Sequence, residues 1–393
     1  MKRRAFLSLA GGLALGAALP LSLPRRGAFA ATADRLSKWQ PNTSHGPFLA
    51  IEWRYIAGKV ADPAGDYGFI VAISDIKYPS ASKELLVEWQ DLSGSQAPKI
   101  GSYSGTLAYN SAGGTYTFQD APHQASVTWR WDNTNQVYNL SVASPELTLT
   151  NLVLRPQGPL ILEGGDGTLD LGDALGFPVG SDYYADWTTI EIGGQARGVA
   201  RVDMQGLYPA ATPVAPLLAQ PDPDYDHHWF AVAGQLGTTP VWISAWRIEA
   251  QPAPFWDVTI AVSGASSAAW QSVLSKTEAD ALVEPLSVRV LDWQPLPASA
   301  GPLLSQLRTG QAWRITAGVA APGDLIDLTI AVPPGQFAAG ARLGATGVLP
   351  WMEEAVGAVA SGTVQGQALS GVRLVVAETT AEFNQVNVPL VLR

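Results

Sequence analysis

Short runs of alternating or β-branched and aromatic residues, bounded by turn formers, recur along almost the whole chain, and they restrict it to extended structure. In IEWRYIAGKV, residues 51–60, Trp53, Tyr55 and Ala57 alternate with Glu52, Arg54 and Ile56. Successive side chains of a strand point to opposite faces, so one face of this strand is aromatic and the other carries a charge pair. Similar runs follow: YGFIVAISDI, KELLVEWQDL, GTYTFQD, ASVTWRWD, VYNLSVAS and LTLTNLVLR. Between them sit ADPAGD, NSAGG and DNTNQ, whose Gly, Pro, Asn and Asp residues mark hairpin turns. The pattern predicts an antiparallel meander.

A second β-rich half contains HHWFAVAG, PVWISAWRIE, WDVTIAV, LSVRVLDW, AWRITAGV and LIDLTIAV and ends in SGTVQGQALSGVRLVVAE. Between the halves lies the proline-rich GLYPAATPVAPLLAQPDPD, residues 206–224, which reads as a linker or as a long loop over one barrel mouth. One segment, SSAAWQSVLSKTEADALV at residues 266–283, is expected to be helical. The expected class is all-β in two domains, over residues 40–206 and 207–393.

Residues 1–30 have a basic start, an apolar middle and small residues at Ala28 and Ala30, which is the pattern of an export signal. Arg3 and Arg4 followed by Phe6 and Leu7 look like a twin-arginine signal, so the mature protein is expected in the periplasm or secreted, without stable membrane insertion. That segment holds five of the chain's 24 basic residues and no acid, which leaves 19 basic against 34 acidic residues, a net charge of −15. Such a balance argues against nucleic acid and anionic membrane as partners. Cysteine is absent, which excludes disulfides, thiolate catalysis and zinc-thiolate sites.

Several motifs resemble the hydroxyneurosporene synthase (carotenoid hydratase) and AttH-like superfamily. Glu52-Trp53-Arg54-Tyr55 resembles its Glu-Trp-Trp-Tyr start, and Ser181-Asp182-Tyr183-Tyr184 its Ser-Tyr-Tyr-Tyr strand. Val202-Asp203-Met204-Gln205-Gly206 resembles Met-Asp-His-Gln-Trp-Gly, and His228-Trp229-Phe230 resembles Trp-Asp-Trp-Phe. Ala312-Trp313-Arg314-Ile315, Trp351-Met352-Glu353-Glu354 and the closing hairpin are similar to its C-terminal barrel. Arg54 stands where the family has Trp, Met204 where it has His, and a Trp is missing before Gly206. The resemblance implies two lipocalin-like β domains with a pocket at or near their interface. It also implies an activity among hydratases of isoprenoid double bonds, an isoflavonoid hydratase and Diels-Alder cyclases, on a lipophilic small molecule and without a cofactor.

Hydrating an unactivated alkene needs an acid able to protonate carbon and an aromatic wall able to face a carbocation. A carboxyl in an apolar cavity keeps its proton because desolvation disfavours the anion, and Trp and Tyr faces attract cations. Asp203 and Tyr184 are the catalytic candidates. The substrate-binding candidates are Glu52, Trp53, Arg54, Tyr55, Tyr183, Trp229 and Glu354. Tyr183 and Tyr184 are adjacent, so at most one faces the pocket. Glu52 and Arg54 either orient a ligand or tether their strand to the other domain. The fourteen tryptophans serve as core, as cavity lining, or as both in different places.

Other chemistries lack support. In PDPDYD the glycine that a calcium loop needs is His227 and its closing acid is Ala233. Four scattered histidines offer no zinc spacing. GSYSG has Tyr103 where a nucleophile elbow has Ser, and no nucleotide fingerprint occurs. A non-catalytic lipocalin-like carrier of a hydrophobic molecule is the rival from another class, because it needs the same aromatic strands.

Overall fold

The computed structural model describes residues 34–45, 51–62, 65–77, 81–172, 179–209, 226–249, 254–263, 270–271, 282–295, 307–319, 324–336, 338–340, 352–380 and 382–383. Residues 1–30, where the export signal is expected, Trp351 and residues 210–225 of the expected linker lie outside them. Among the described residues the chain forms two antiparallel sheets, of thirteen and twelve strands. The first is a nearly closed barrel and the second a half-barrel.

In the first sheet, hairpin neighbours run from Ile51–Asp62 through Gly65–Ile76 and Ser82–Asp91 to Lys99–Ser104. On the other side Ile51–Asp62 pairs with Gln195–Pro209, the last strand of this half. Val179–Ile192 follows, and the path continues to Thr106–Asn110. The two ends of the path are thus adjacent in sequence across Gly105. A Cβ there would stand 2.2 Å from the Gln119 carbonyl oxygen, so only glycine permits this corner. The second sheet is centred on Asp226–Leu236, paired with both Thr239–Glu249 and Gln367–Thr380.

The expected runs are all strands. Among the strands outside those runs, Lys99–Ser104 and Thr106–Asn110 have few large apolar residues and did not register in the alternation. The helix expected over residues 266–283 is not formed where that stretch is described. Trp270–Gln271 pairs with Val262 and Ser263, and Leu282 and Val283 open a strand ending at Pro295. The described pieces pair with neighbouring strands, a tertiary contact that local helix preference does not register.

Three apolar clusters result. One fills the first barrel, around Trp39, Trp129 and Trp131. A second fills the other sheet's concave side, around Phe230 and Trp313. The third lies between the halves and draws Tyr55, Tyr183 and Trp187 from the first and Trp229, Trp242, Trp246 and Phe255 from the second. Strands at this layer are covered on both faces, as Gln195–Pro209 illustrates: Val202 and Met204 face the barrel interior, while Arg201 and Asp203 face the layer.

Glu52 and Arg54 both point into the first barrel, opposite Tyr55 and Ala57, as alternation requires. They are an ion pair of 2.7 Å, with the Arg54 side chain 4% and the Glu52 side chain 6% exposed. The Arg54 guanidinium also donates to the carbonyls of Trp39 and Gln40 and to the Tyr116 hydroxyl, and Glu52 accepts from the Asn42 backbone N–H. The pair therefore ties down the segment around Trp39, whose indole lies inside the barrel and donates to the Gly114 carbonyl. Of the two roles expected, tethering is what these contacts describe, and what is tethered is the chain's own N-terminal segment and not the other domain. A cavity of about 100 Å³ adjoins the pair, with Pro41, Asp75, Lys83 and Tyr109 among its lining.

Arg54→Met is expected to cost about 3–5 kcal/mol, because it leaves Glu52 buried and uncompensated. The double variant Glu52→Gln, Arg54→Met should be less destabilised than Arg54→Met alone. Urea unfolding of the wild type and the variants checks this, and a double variant as unstable as the sum of the singles would refute the coupling.

Candidate functional site

Polar side chains collect at one place in the layer between the halves. Arg201, 1% exposed, is central. One of its terminal nitrogens donates to Glu163 Oε1 at 2.6 Å and to the Tyr183 hydroxyl at 3.2 Å. Its Nε stands 2.8 Å from Asp203 Oδ1, an ionic contact outside hydrogen-bond alignment. The Tyr183 hydroxyl in turn donates to Asp203 Oδ2 at 2.9 Å. From the second half come Asp257 and Thr259, both buried, with the Thr259 hydroxyl donating to Asp257 Oδ2 at 3.1 Å. The backbone N–H of Gly164 donates to the Thr259 hydroxyl at 3.4 Å, so this polar network crosses between the halves.

Local structure explains the placement. Arg201 and Asp203 are i and i+2 on one strand, and Asp257 and Thr259 are i and i+2 on another, so each pair shares a face. Their strands, Gln195–Pro209 and Phe255–Ser263, both turn that face to the layer. Glu163 comes from a short 3₁₀ turn, Glu163–Gly165, in which Gly164 has φ +71°. The turn brings a fully buried carboxylate to the end of the Arg201 fork.

Aromatic rings close the cluster. The Arg201 guanidinium carbon lies 5.2 Å from the Trp229 ring centroid, 5.4 Å from Trp187 and 5.8 Å from Tyr183. Trp187 stacks on Trp242 across the layer at 4.8 Å, and Tyr183 and Tyr55 meet Trp246 and Trp229 edge to face. Such rings attract cations through their faces while excluding water. The indole N–H groups of Trp187 and Trp229, Glu163 Oε2 and Asp257 Oδ1 are buried without a hydrogen-bond partner. A concentration of unsatisfied polar atoms at one spot marks a place suited to a polar guest.

Charge is unbalanced there: three carboxyls, Glu163, Asp203 and Asp257, surround one guanidinium. Burial lifts Asp203 to about 6, and the charge of Glu163 adds to the rise. Arg201 and the hydrogen bond from Tyr183 hold it back. Asp257 is pushed well above the usual carboxylate range, again by burial first and then by Glu163. Burial and the neighbouring Asp203 raise the Tyr183 phenol well above 10. Burial works against the Arg201 charge, but Asp203, Tyr183 and Glu163 outweigh it and raise the guanidinium well above its ordinary value. The arrangement can keep a neutral carboxylic acid inside a dry aromatic wall at ordinary pH.

Of the candidates read from the sequence, Asp203, Tyr183, Trp229 and Tyr55 meet in this layer, with Trp53 packed at its margin. Tyr184 points the other way. It packs on the first barrel's core, accepts from Lys38 Nζ at 2.9 Å and leaves room for no side chain at Gly167, where φ is +84°. It is Tyr183, not Tyr184, that the strand aims at Asp203. Glu52 and Arg54 belong to the barrel interior. Glu354 is buried on Met352–Val356, a strand whose backbone meets Gln90 of the first half at 3.4 and 2.8 Å, and it is not among the partners of Arg201. Met204, at the family's His position, lies in the first barrel's core on the face away from Asp203. The shell around Asp203 is instead Arg201 and Tyr183.

Arg201, Glu163 and Asp257 were not singled out in the sequence. The i, i+2 rule applied to Arg201-Val202-Asp203 and to Asp257-Val258-Thr259 would have flagged two of them. Glu163, in ILEGGDG, follows no period that could reveal it.

No protein-family model matches the sequence, and no curated protein matches it either. Solved structures share the fold. An AttH-like protein from Nitrosomonas europaea is 17% identical over 84% of this chain and 92% of its own, with a TM-score of 0.55. Kievitone hydratase from Nectria haematococca is 13% identical over 90% of this chain and 94% of its own, with a TM-score of 0.52.

Because the folded chain holds the Asp203 proton to about pH 6 against an ordinary value of 3.8, folding takes up a proton between those values. Stability from this group is complete below about pH 4 and falls by about 3 kcal/mol as the pH rises through 6. Asp203→Asn should therefore lose less stability than the wild type between pH 4 and 7. Urea midpoints measured across that range check it, and parallel curves would show that Asp203 is not the group involved.

Proposed function

We propose that this chain, which has the AttH/lipocalin-like paired fold, is a cofactor-independent enzyme that adds water to, or isomerises, a lipophilic unsaturated molecule in the layer between its two halves. The observation that carries this reading is the cluster of three buried carboxyls around Arg201 inside a wall of tryptophans. A protonated carboxyl is available there, and ring faces are placed to stabilise positive charge on carbon. Kievitone hydratase, named for a hydration, is built on the same fold. Asp203 belongs to the proton-moving machinery, Tyr183 orients it, and Trp187 and Trp229 form the wall. The twin-arginine-like start supports export, where the substrate would be a membrane-derived isoprenoid, polyene or polyketide.

The test is mass spectrometry of a host lipid extract incubated with the purified mature protein. A product heavier by one water, or an isomer of unchanged mass, is expected with the wild type and not with Asp203→Asn. An isomer formed equally well by Asp203→Asn would point to cyclisation by confinement. A molecule retained but unaltered would make the protein a carrier and overturn the enzymatic reading.

A further inference from the structure

The two aspartates of the layer, one from each half, are held in different ways. Asp203 has the Arg201 Nε at 2.8 Å on one oxygen and the Tyr183 hydroxyl donating at 2.9 Å to the other. Both contacts favour the carboxylate. Asp257 has a single donor, Thr259 at 3.1 Å, and its Oδ1 is buried with no partner. The charged groups acting on it are Glu163 and Arg201. The terminal nitrogen of Arg201 is already engaged by Glu163 at 2.6 Å. One guanidinium cannot offset three buried carboxylates. The carboxyl that lacks direct contact with it is the one that retains a proton.

We propose that Asp257, contributed by the second half, is the proton donor of the site and Asp203, contributed by the first, is the acceptor. This deepens the reading above and rests on it for the chemical step. In that step the π pair of the substrate alkene takes the Asp257 proton to form a C–H bond, and the O–H pair stays on Asp257 as carboxylate. The cation then either forms a C–O bond with water, whose proton passes to the Asp203 carboxylate, or loses a proton from an adjacent carbon to Asp203. Release of that proton from Asp203 and uptake of one by Asp257 restore the site, and the net change is addition of water or migration of the double bond. Burial and the neighbouring Glu163 act on Asp257 in the same sense, pushing it well above the usual carboxylate range. A pair of groups with opposed environments is how acid and base are separated within one site.

Infrared spectroscopy of the whole mature protein at pH 7 tests this without any substrate, through the C=O stretch of a protonated buried carboxyl. The expected result is one such band in the wild type, present in Asp203→Asn and lost in Asp257→Asn. Thr259→Val removes the hydrogen bond to Asp257 and should move the band to higher frequency, a readout that survives if Asp257→Asn does not fold. Absence of the band, its loss in Asp203→Asn, its persistence in Asp257→Asn, or an unmoved band in Thr259→Val would each overturn the assignment. Because the infrared measurement reads protonation alone, it can fail while water addition is found in the lipid extract, and succeed while it is not.

Discussion

A single guanidinium buried between two sheets sets the terms for the rest of this molecule. Arg201 is buried, and a cation in that position persists only with counter-charge, hydrogen-bond acceptors and polarizable faces around it. Glu163, Asp203 and Tyr183 supply the first two, and three aromatic rings supply the third. The cost is an excess of carboxyls that cannot all be ionised together. That excess is what sets this layer apart from a structural ion pair, and it is the ground on which proton transfer is proposed there.

The first barrel carries a related device with a different outcome. Glu52 and Arg54, like Arg201 and Asp203, are acid and base at i and i+2 on one face of a strand. There the guanidinium finds the carbonyls of Trp39 and Gln40, and its single carboxylate balances it. Charge is matched, carbonyls of the N-terminal segment are satisfied, and the result is a fixed segment with Trp39 inside the barrel. Three carboxyls against one guanidinium, and one against one, mark the difference between the two places.

Alternation made a large part of this legible. The two faces of residues 51–60, the β class, the two halves and the opposition of Tyr183 and Tyr184 all follow from a period of two. Asp203, Tyr183, Tyr55 and Trp229 were recognisable as candidates, and the structure brings them to one layer. Lys99–Ser104 and Thr106–Asn110 escaped notice because small and polar residues blur the period. Trp270–Gln271 was read as helical because local preference carries no information about an available sheet edge. Which tyrosine joins Asp203 was also undetermined, since a period of two says that faces differ and not which one is covered.

The sequence by itself determined that the chain is extended, that its strands are amphipathic or buried on both faces, and that aromatic residues and isolated charges share those faces. Such information is local, because side-chain direction depends on the backbone of a few residues. Only the tertiary structure decided that Glu163, Arg201 and Asp257 converge from three separate segments, and that Met204 looks away from Asp203. It alone showed that one charged pair holds the N-terminal segment while the other lies among an excess of buried carboxyls. The ionisation of a carboxyl depends on how much water it loses and on which charges it meets, and both are properties of the assembled layer.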